Sequence, residues 1–191
     1  MELERSLIER LTFADILRYG HFALRNGRHS GALIDRDLLL ADPAVASRFG
    51  YHLAKHHFTD HIETIATPSI WGAGLAQWVG YFLEPKAKVI DATPKDGQLT
   101  IAPKLESLIR DRRVLLVDNL LLTGETMGRL LALTSNLGAK VVGIATLWSS
   151  GENDIDGKPV YAALNDAFPA WAPDDCPLCA LGESPAEIVR Y

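Results

Sequence analysis

The sequence predicts an α/β protein with a central, mostly parallel sheet and helices on both faces, and three observations predict it. From about residue 40 onward, apolar runs of strand length alternate with runs of helical spacing, as successive βα units do. The run Val114-Leu115-Leu116-Val117 is apolar at every position, as a strand covered on both faces must be. Turns of small and polar residues follow the strands, at the carboxyl edge where open α/β sheets hold their ligands.

At 191 residues, 48% hydrophobic and 23% charged, the chain is expected to form one domain with a single core. A net charge of −5, from 24 acidic against 19 basic residues, argues against a general nucleic-acid binder. No apolar run reaches the roughly 18 residues of a membrane span. The start Met1-Glu2-Leu3-Glu4-Arg5 lacks the basic-then-apolar pattern of a secretory signal, so a cytoplasmic location is expected. Two cysteines, Cys176 and Cys179, suit a reducing compartment better than a disulfide scaffold.

In chain order, Leu3, Leu7, Ile8, Leu11 and Ala14 predict an amphipathic helix over 2–19, stopped by Gly20. Asn26-Gly27, inside His21–Ser30, is a two-residue hairpin signal with φ > 0 tolerated at both positions. Read alone, it makes a surface hairpin with solvated charges. Asp42-Pro43 supplies an N-cap and a proline at the first helical position, opening a helix to about Phe58. His52 and His56 are i, i+4 neighbours on it. With no carboxylate or cysteine at ligand spacing, a solvated helix face weighs against a metal grip.

Ile62–Ala66 reads as a short strand, Thr67–Gly74 as a turn of small residues, and the following stretch as a helix through Leu83. Ala87–Asp91 is the next strand, followed by a loop over 91–97 that carries Lys95. Val114–Val117 then places Asp118 at a strand end. Thr123-Gly124-Glu125-Thr126 forms a tight turn before a helix built on Met127, Leu130, Leu131 and Leu133–Leu137 and stopped by Gly138. Backbone N–H groups of such a turn, with the helix N-terminus behind them, would cradle a phosphate; an ordinary βα turn is the alternative. Val141–Leu147 reads as a buried strand and Val160–Leu164 as the last one. Cys176-Pro177-Leu178-Cys179 supplies half of a Cys₄ zinc site whose second pair would come from another subunit, or else two reduced cysteines closing a knuckle.

The stretch 114–126 resembles the motif by which type I phosphoribosyltransferases bind 5-phosphoribosyl-1-pyrophosphate (PRPP). Asp118 matches its first acid, and Thr123, Gly124 and Thr126 its 5′-phosphate loop; Asn119 and Leu122 stand where a second acid and a threonine are usual. His21–Ser30, with Asp35-Arg36-Asp37-Leu38, is similar to the N-terminal signature of orotate phosphoribosyltransferases. Thr67–Gly74 takes the place of the pyrophosphate loop. Lys95-Asp96-Gly97 matches the second half of the mobile catalytic loop, whose leading Arg-Lys pair is here Asp91-Ala92. Trp148–Gly151 lacks the Asp-Arg pair frequent at that point, and the Cys-Pro-Leu-Cys tail is similar to that of a subset of these enzymes.

The resemblance implies a type I phosphoribosyltransferase fold with a small N-terminal hood: helix and hood over 1–40, α/β core over 41–165, tail over 166–191. It implies transfer of ribose 5-phosphate from PRPP, bound with Mg²⁺ through Asp118, to a nucleobase with release of pyrophosphate. Lys95, Asp118 and Asn119 would be catalytic. Thr67, Ser69, Gly72, Thr123, Gly124, Glu125 and Thr126 would bind PRPP, and Arg25 and Leu122 would meet the base. The assembly implied is a homodimer, with no nucleic acid or membrane as partner. A non-catalytic PRPP- or nucleotide-binding regulatory protein on the same fold is the alternative. Removing the catalytic loop's cations costs about 10²–10³ in rate apiece in comparable sites. A pocket without the arginine disfavours an anionic base such as orotate.

Overall fold

A computed structural model describes residues 16–165, 168–182 and 187–189. Two strands open it, β1 (Leu17–Ala23) and β2 (His29–Ile34), followed by α1 (Arg36–Ala41) and α2 (Pro43–His56). The core continues through β3 (Thr64–Thr67), α3 (Ile70–Phe82), β4 (Lys88–Asp91), β5 (Thr93–Lys95), β6 (Gln98–Thr100), β7 (Arg113–Leu121), α4 (Glu125–Asn136) and β8 (Lys140–Ser149). It closes with β9 (Asp154–Ile155), β10 (Lys158–Ala162), β11 (Ala170–Trp171), α5 (Pro177–Ala180) and β12 (Glu187–Ile188).

The central sheet has the order β4-β3-β7-β8-β10-β9, parallel throughout except at the edge strand β9. β7 shows why its run is apolar at every position. Leu115 and Val117 face α2 and α3, among Phe49, Leu53, Leu75 and Val79, while Val114 and Leu116 face Met127, Leu130 and Leu131 of α4. All four β7 residues are 0% exposed, so each contributes the full burial term of about 1.5–3 kcal/mol. The strand is longer than the run: ladder pairing with β8 continues to Leu121↔Ser149, so Asp118 lies within the strand, not at its end. The helix-start signal at Asp42-Pro43 is realised, with the Asp42 carboxylate accepting from the N–H groups of Ala44 and Val45. Gly138, at φ 87°, ends the α4 segment as expected.

A second sheet, β11-β2-β1-β12, forms the hood. Three expectations are corrected here. Residues 17–19 belong to β1, not to the helix, and Gly20 sits inside that strand; the rest of the expected helix falls outside the described residues. The β1–β2 connection is a five-residue loop, because Ala23 pairs with His29 and only Gly27 has positive φ, at 80°. Val160–Leu164 is not the last strand, since β11 and β12 follow and flank the hood hairpin. The hood is thus built from both ends of the chain. Ile16, Leu17, Leu24, Ala32 and Ile34 of its inner face join the main core. Between that face and the ends of β7 and β8 lies a small apolar cavity bordered by Leu24, Ile34, Leu120, Leu122, Trp148 and Phe168.

The segment after β4 is also corrected. It is a β5–β6 hairpin with Lys95 opposite Gln98, turned on Asp96 (φ 50°) and Gly97 (φ 78°), the two positive φ values a tight two-residue turn requires. Leu99 on β6 anchors the hairpin to the α4 side of the core.

Candidate active site

The order of the sheet fixes where a ligand can sit. β3 connects outward to β4, and β7 connects to β8 on the opposite side, so the winding reverses between β3 and β7. The crevice beyond their carboxyl ends is the ligand site of such sheets. Helices of 13 and 12 residues, α3 and α4, start there, and neither has a side-chain cap at Ser69 or Gly124. Without such a cap, both helix starts present the positive end of the helix dipole to the crevice, an arrangement that suits anions.

The second start is the turn 123–126. Gly124 is left-handed (φ 72°, ψ −13°), and a Cβ there would meet Ile155 Cδ1 at 3.2 Å. The Glu125 N–H donates weakly to Thr123 Oγ1 at 3.4 Å, while the Thr123 and Thr126 side chains face solvent. Glu125 is ion-paired with Arg129 one turn on, which offsets its charge beside the turn.

The first start packs against the acid. Thr67, fully buried, donates to the Ser69 carbonyl at 3.3 Å, and the Gly72 N–H reaches the same oxygen at 3.1 Å. A Cβ on Gly72 would lie 2.0 Å from Thr67 Oγ1 and 3.2 Å from Asp118 Oδ1, so only glycine lets α3 begin this close to the strand ends. Asp118 Oδ1 accepts from the Asn119 N–H at 2.8 Å. Burial pushes the Asp118 carboxyl up to about 6, against the opposing pull of that N–H and of the Arg36 charge. Asn119 is buried; its Nδ2 donates to the Trp71 carbonyl at 2.9 Å. A carboxylate at 119 would face that carbonyl with nothing to donate, which accounts for an amide in place of the second acid. Asn119 therefore positions the start of α3.

Thr67, Ser69, Gly72, Asp118 and Asn119 are thus brought together by direct contact, with Thr123–Thr126 at the end of the same strand β7. Asp91 pairs with Thr67 across β3–β4, so the third segment starts beside them. Lys95 is exposed on the β5–β6 hairpin, and among the described residues no hydrogen bond or ion pair joins it to 118–126. Arg25 is exposed at the tip of the β1–β2 loop. The residues that reach inward from this loop are its neighbours. Asn26 Nδ2 donates to the Leu122 carbonyl at 2.6 Å and to Ser150 Oγ at 2.7 Å, pinning the hood to the start of the 123–126 turn. Arg28 donates to the Ala170 carbonyl at 3.3 Å, and its guanidinium packs on Gly151 so closely that a Cβ there would be 2.8 Å from Nη1. Sequence reasoning missed Asn26, Arg28 and the charge of Arg36 beside Asp118; each lay inside a quoted motif, but which side chain of a loop points inward is not readable from spacing.

His52 and His56 stand exposed on their helix face, as the solvated alternative has it: His52 Nε2 meets the Tyr161 hydroxyl at 2.7 Å, and the His56 ring stacks on Tyr161 at 3.5 Å between centroids. The tail cysteines are corrected too. Their partners are not in another subunit but on the hood hairpin of the same chain, where His21 and His29 converge on Cys176 and Cys179.

The family described as phosphoribosyl transferase domain matches residues 79–168. Orotate phosphoribosyltransferase of Chlorobaculum parvum is 30% identical over 165 residues, 85% of this chain and 83% of that one. The Carboxydothermus hydrogenoformans protein of the same name is 29% identical over 185 residues, covering 95% and 93%. Among solved structures, Aeropyrum pernix orotate phosphoribosyltransferase matches with a TM-score of 0.58 at 19% identity, covering 81% of this chain and 90% of that one. Leishmania donovani UMP synthase matches with a TM-score of 0.62 at 22% identity; the match covers 82% of this chain but only 35% of that longer one. The structural matches bear on the fold, and the sequence relatives on the lineage: this chain belongs to the orotate phosphoribosyltransferase family of phosphoribosyltransferase enzymes.

Proposed function

We propose that the protein binds PRPP in the crevice between β3 and β7 and transfers its ribose 5-phosphate to a nucleobase, releasing pyrophosphate. The observation that carries this reading is the pair of uncapped helix N-termini flanking one partly buried carboxylate. Two phosphate groups and a diol between them are what such a crevice complements. The turn 123–126 takes the 5′-phosphate, with Gly124 allowing the backbone to approach and the Thr123 and Thr126 hydroxyls donating. The start of α3, at Ser69–Gly72 over Thr67, takes the pyrophosphate. Asp118, ionised above about pH 6, accepts from the ribose hydroxyls and stabilises positive charge growing at the anomeric carbon as the C–O bond to pyrophosphate breaks.

Mg²⁺ fits this site as a PRPP-borne ion. Such ions are held by one or two carboxylates and the substrate's phosphates, and Asp118 supplies one carboxylate. When bound, the metal neutralises charge on the leaving pyrophosphate. Lys95, exposed on its hairpin, supplies a further cation, acting on the crevice of the second subunit of a homodimer. The base lies beneath the hood against Leu122, with the Arg28 guanidinium packed on Gly151 as a cation held on that side. No helix among the described residues is long and apolar enough to cross a membrane, and a cytoplasmic enzyme is the reading adopted.

Titration calorimetry with PRPP and Mg²⁺, then a pyrophosphate-release assay against orotate, uracil, hypoxanthine and adenine, tests the reading. Binding with release names the acceptor. Binding without release from any base identifies a PRPP-binding regulator instead, and no binding removes the site assignment.

A further inference from the structure

A second cluster of ligand-type side chains lies on the hood, at residues not placed in the crevice. His21 on β1 and His29 on β2 project from the hood hairpin towards Cys176, the N-cap of the short helix α5, and Cys179 within it. One ligand atom from each of the four lies within 4.8 Å of all the others. His21 Nε2 is 3.0 Å from His29 Nδ1, and 3.6 Å from each cysteine sulfur; Cys179 Sγ is 3.3 Å from His29 Nδ1. A tetrahedral zinc with ordinary bond lengths has edges of about 3.3 Å between nitrogens and about 3.6 Å between nitrogen and sulfur. The measured edges match within a few tenths of an ångström.

We propose that this cluster is a structural zinc site, His₂Cys₂, in which His21 Nε2, His29 Nδ1 and the thiolates of Cys176 and Cys179 hold one Zn²⁺. Three considerations select the ion. Two sulfurs with two imidazole nitrogens in a tetrahedron suit zinc, whereas the hard cations Mg²⁺ and Ca²⁺ take oxygen. Two thiolates and two neutral imidazoles balance the ion's charge, so the site needs no further counter-ion. All four positions come from the protein, which leaves none open for water or substrate and marks a structural rather than a catalytic centre.

The ligands stand on ordered backbone. His29 pairs with Ala23 on one side and Trp171 on the other, and the cysteine knuckle is tied by its own N–H groups, Cys176 to the Pro173 carbonyl and Ala180 to the Cys176 carbonyl. The ion's work follows from where it sits. It clips the tail to the hairpin whose loop, through Asn26, holds the Leu122 carbonyl at the crevice. Both cysteines are free thiols in the structure, so no disulfide supplies that tie.

The test uses the full chain without a histidine tag, purified from zinc-supplemented medium. Elemental analysis is expected to give about one zinc per chain, and Cys176→Ser/Cys179→Ser to lose it. Because that variant can fail to fold, the wild type is also exchanged into Co²⁺. Intense visible bands of tetrahedral cobalt, with a thiolate-to-metal band in the near ultraviolet, are the expected spectrum. A chelator should lower Tm in the wild type and leave the double variant unmoved. A wild type free of zinc, equal zinc in the double variant, or the weak spectrum of six-coordinate cobalt would each overturn the assignment. None of these readouts depends on PRPP, so the site stands or falls apart from the proposed activity.

Discussion

Asp118→Asn is expected to make the protein more stable at pH 8 while it loses PRPP. Burial raises the carboxyl from 3.8 to about 6, so the native state binds its proton more tightly than the unfolded chain does. Above pH 6 both states are ionised and the native one carries the whole cost of the buried charge. At roughly 1.4 kcal/mol per pKa unit, two units amount to about 3 kcal/mol. That value already contains the pull of the Asn119 N–H, which an asparagine carbonyl still accepts. The expected gain is therefore about 3 kcal/mol, or about 6–12 °C in Tm for a chain of this size. As pH falls through 6 towards 4 the wild type takes up its proton and recovers that stability, so the gain shrinks to nothing. Thermal unfolding of both proteins at pH 8 and pH 4 measures it. PRPP binding should weaken about 10- to 100-fold, the worth of hydrogen bonds to a charged group. An unchanged or lowered Tm at pH 8, or a gain equal at both pH values, would refute the electrostatic reasoning.

Three further outcomes follow from the geometry. Gly72→Ala places a Cβ 2.0 Å from Thr67 Oγ1, so overpacking should cost about 1–3 kcal/mol in urea unfolding and weaken PRPP in calorimetry. Asn26→Ala removes both donors that pin the hood to Leu122 and Ser150; stability should fall by about 1–2 kcal/mol, and in steady-state kinetics the acceptor base's KM should rise more than that of PRPP. Thr126→Val should raise the Kd for PRPP more than Lys95→Ala does, whereas Lys95→Ala should act on kcat; negligible effects from both would dismiss the two assignments.

What the sequence disclosed was local. The all-apolar run of β7 and the Asp42-Pro43 cap are dictated by residues within a few positions, and both appear as expected apart from the longer strand. The Asp96-Gly97 turn was equally local, an Asp-Gly pair of the strongest hairpin type, but resemblance to a mobile loop drew attention to Lys95 instead. Non-local pairing was not legible. Nothing near Phe22 signals that Glu187 will lie beside it, because a strand pattern specifies a face and not a neighbour. The metal ligands show the same division. His52 and His56 had a recognisable helical spacing and lie on an exposed helix face beside Tyr161, while His21 and His29 are joined only by a hairpin register.

The hood's mixed ancestry sets an order on folding. Every strand of the six-stranded sheet has been synthesised once Ala162 is made, and its ladders can form as the chain emerges. β1 and β2 must wait for β11 and β12, whose pairings close loops of well over a hundred residues. Such closures are slow compared with local ones, and until they occur the hairpin has exposed edges on both sides. The crevice therefore forms early and open, and its cover arrives last, so a stalled or shortened chain would hold the 123–126 turn without the hood under which the base is proposed to lie.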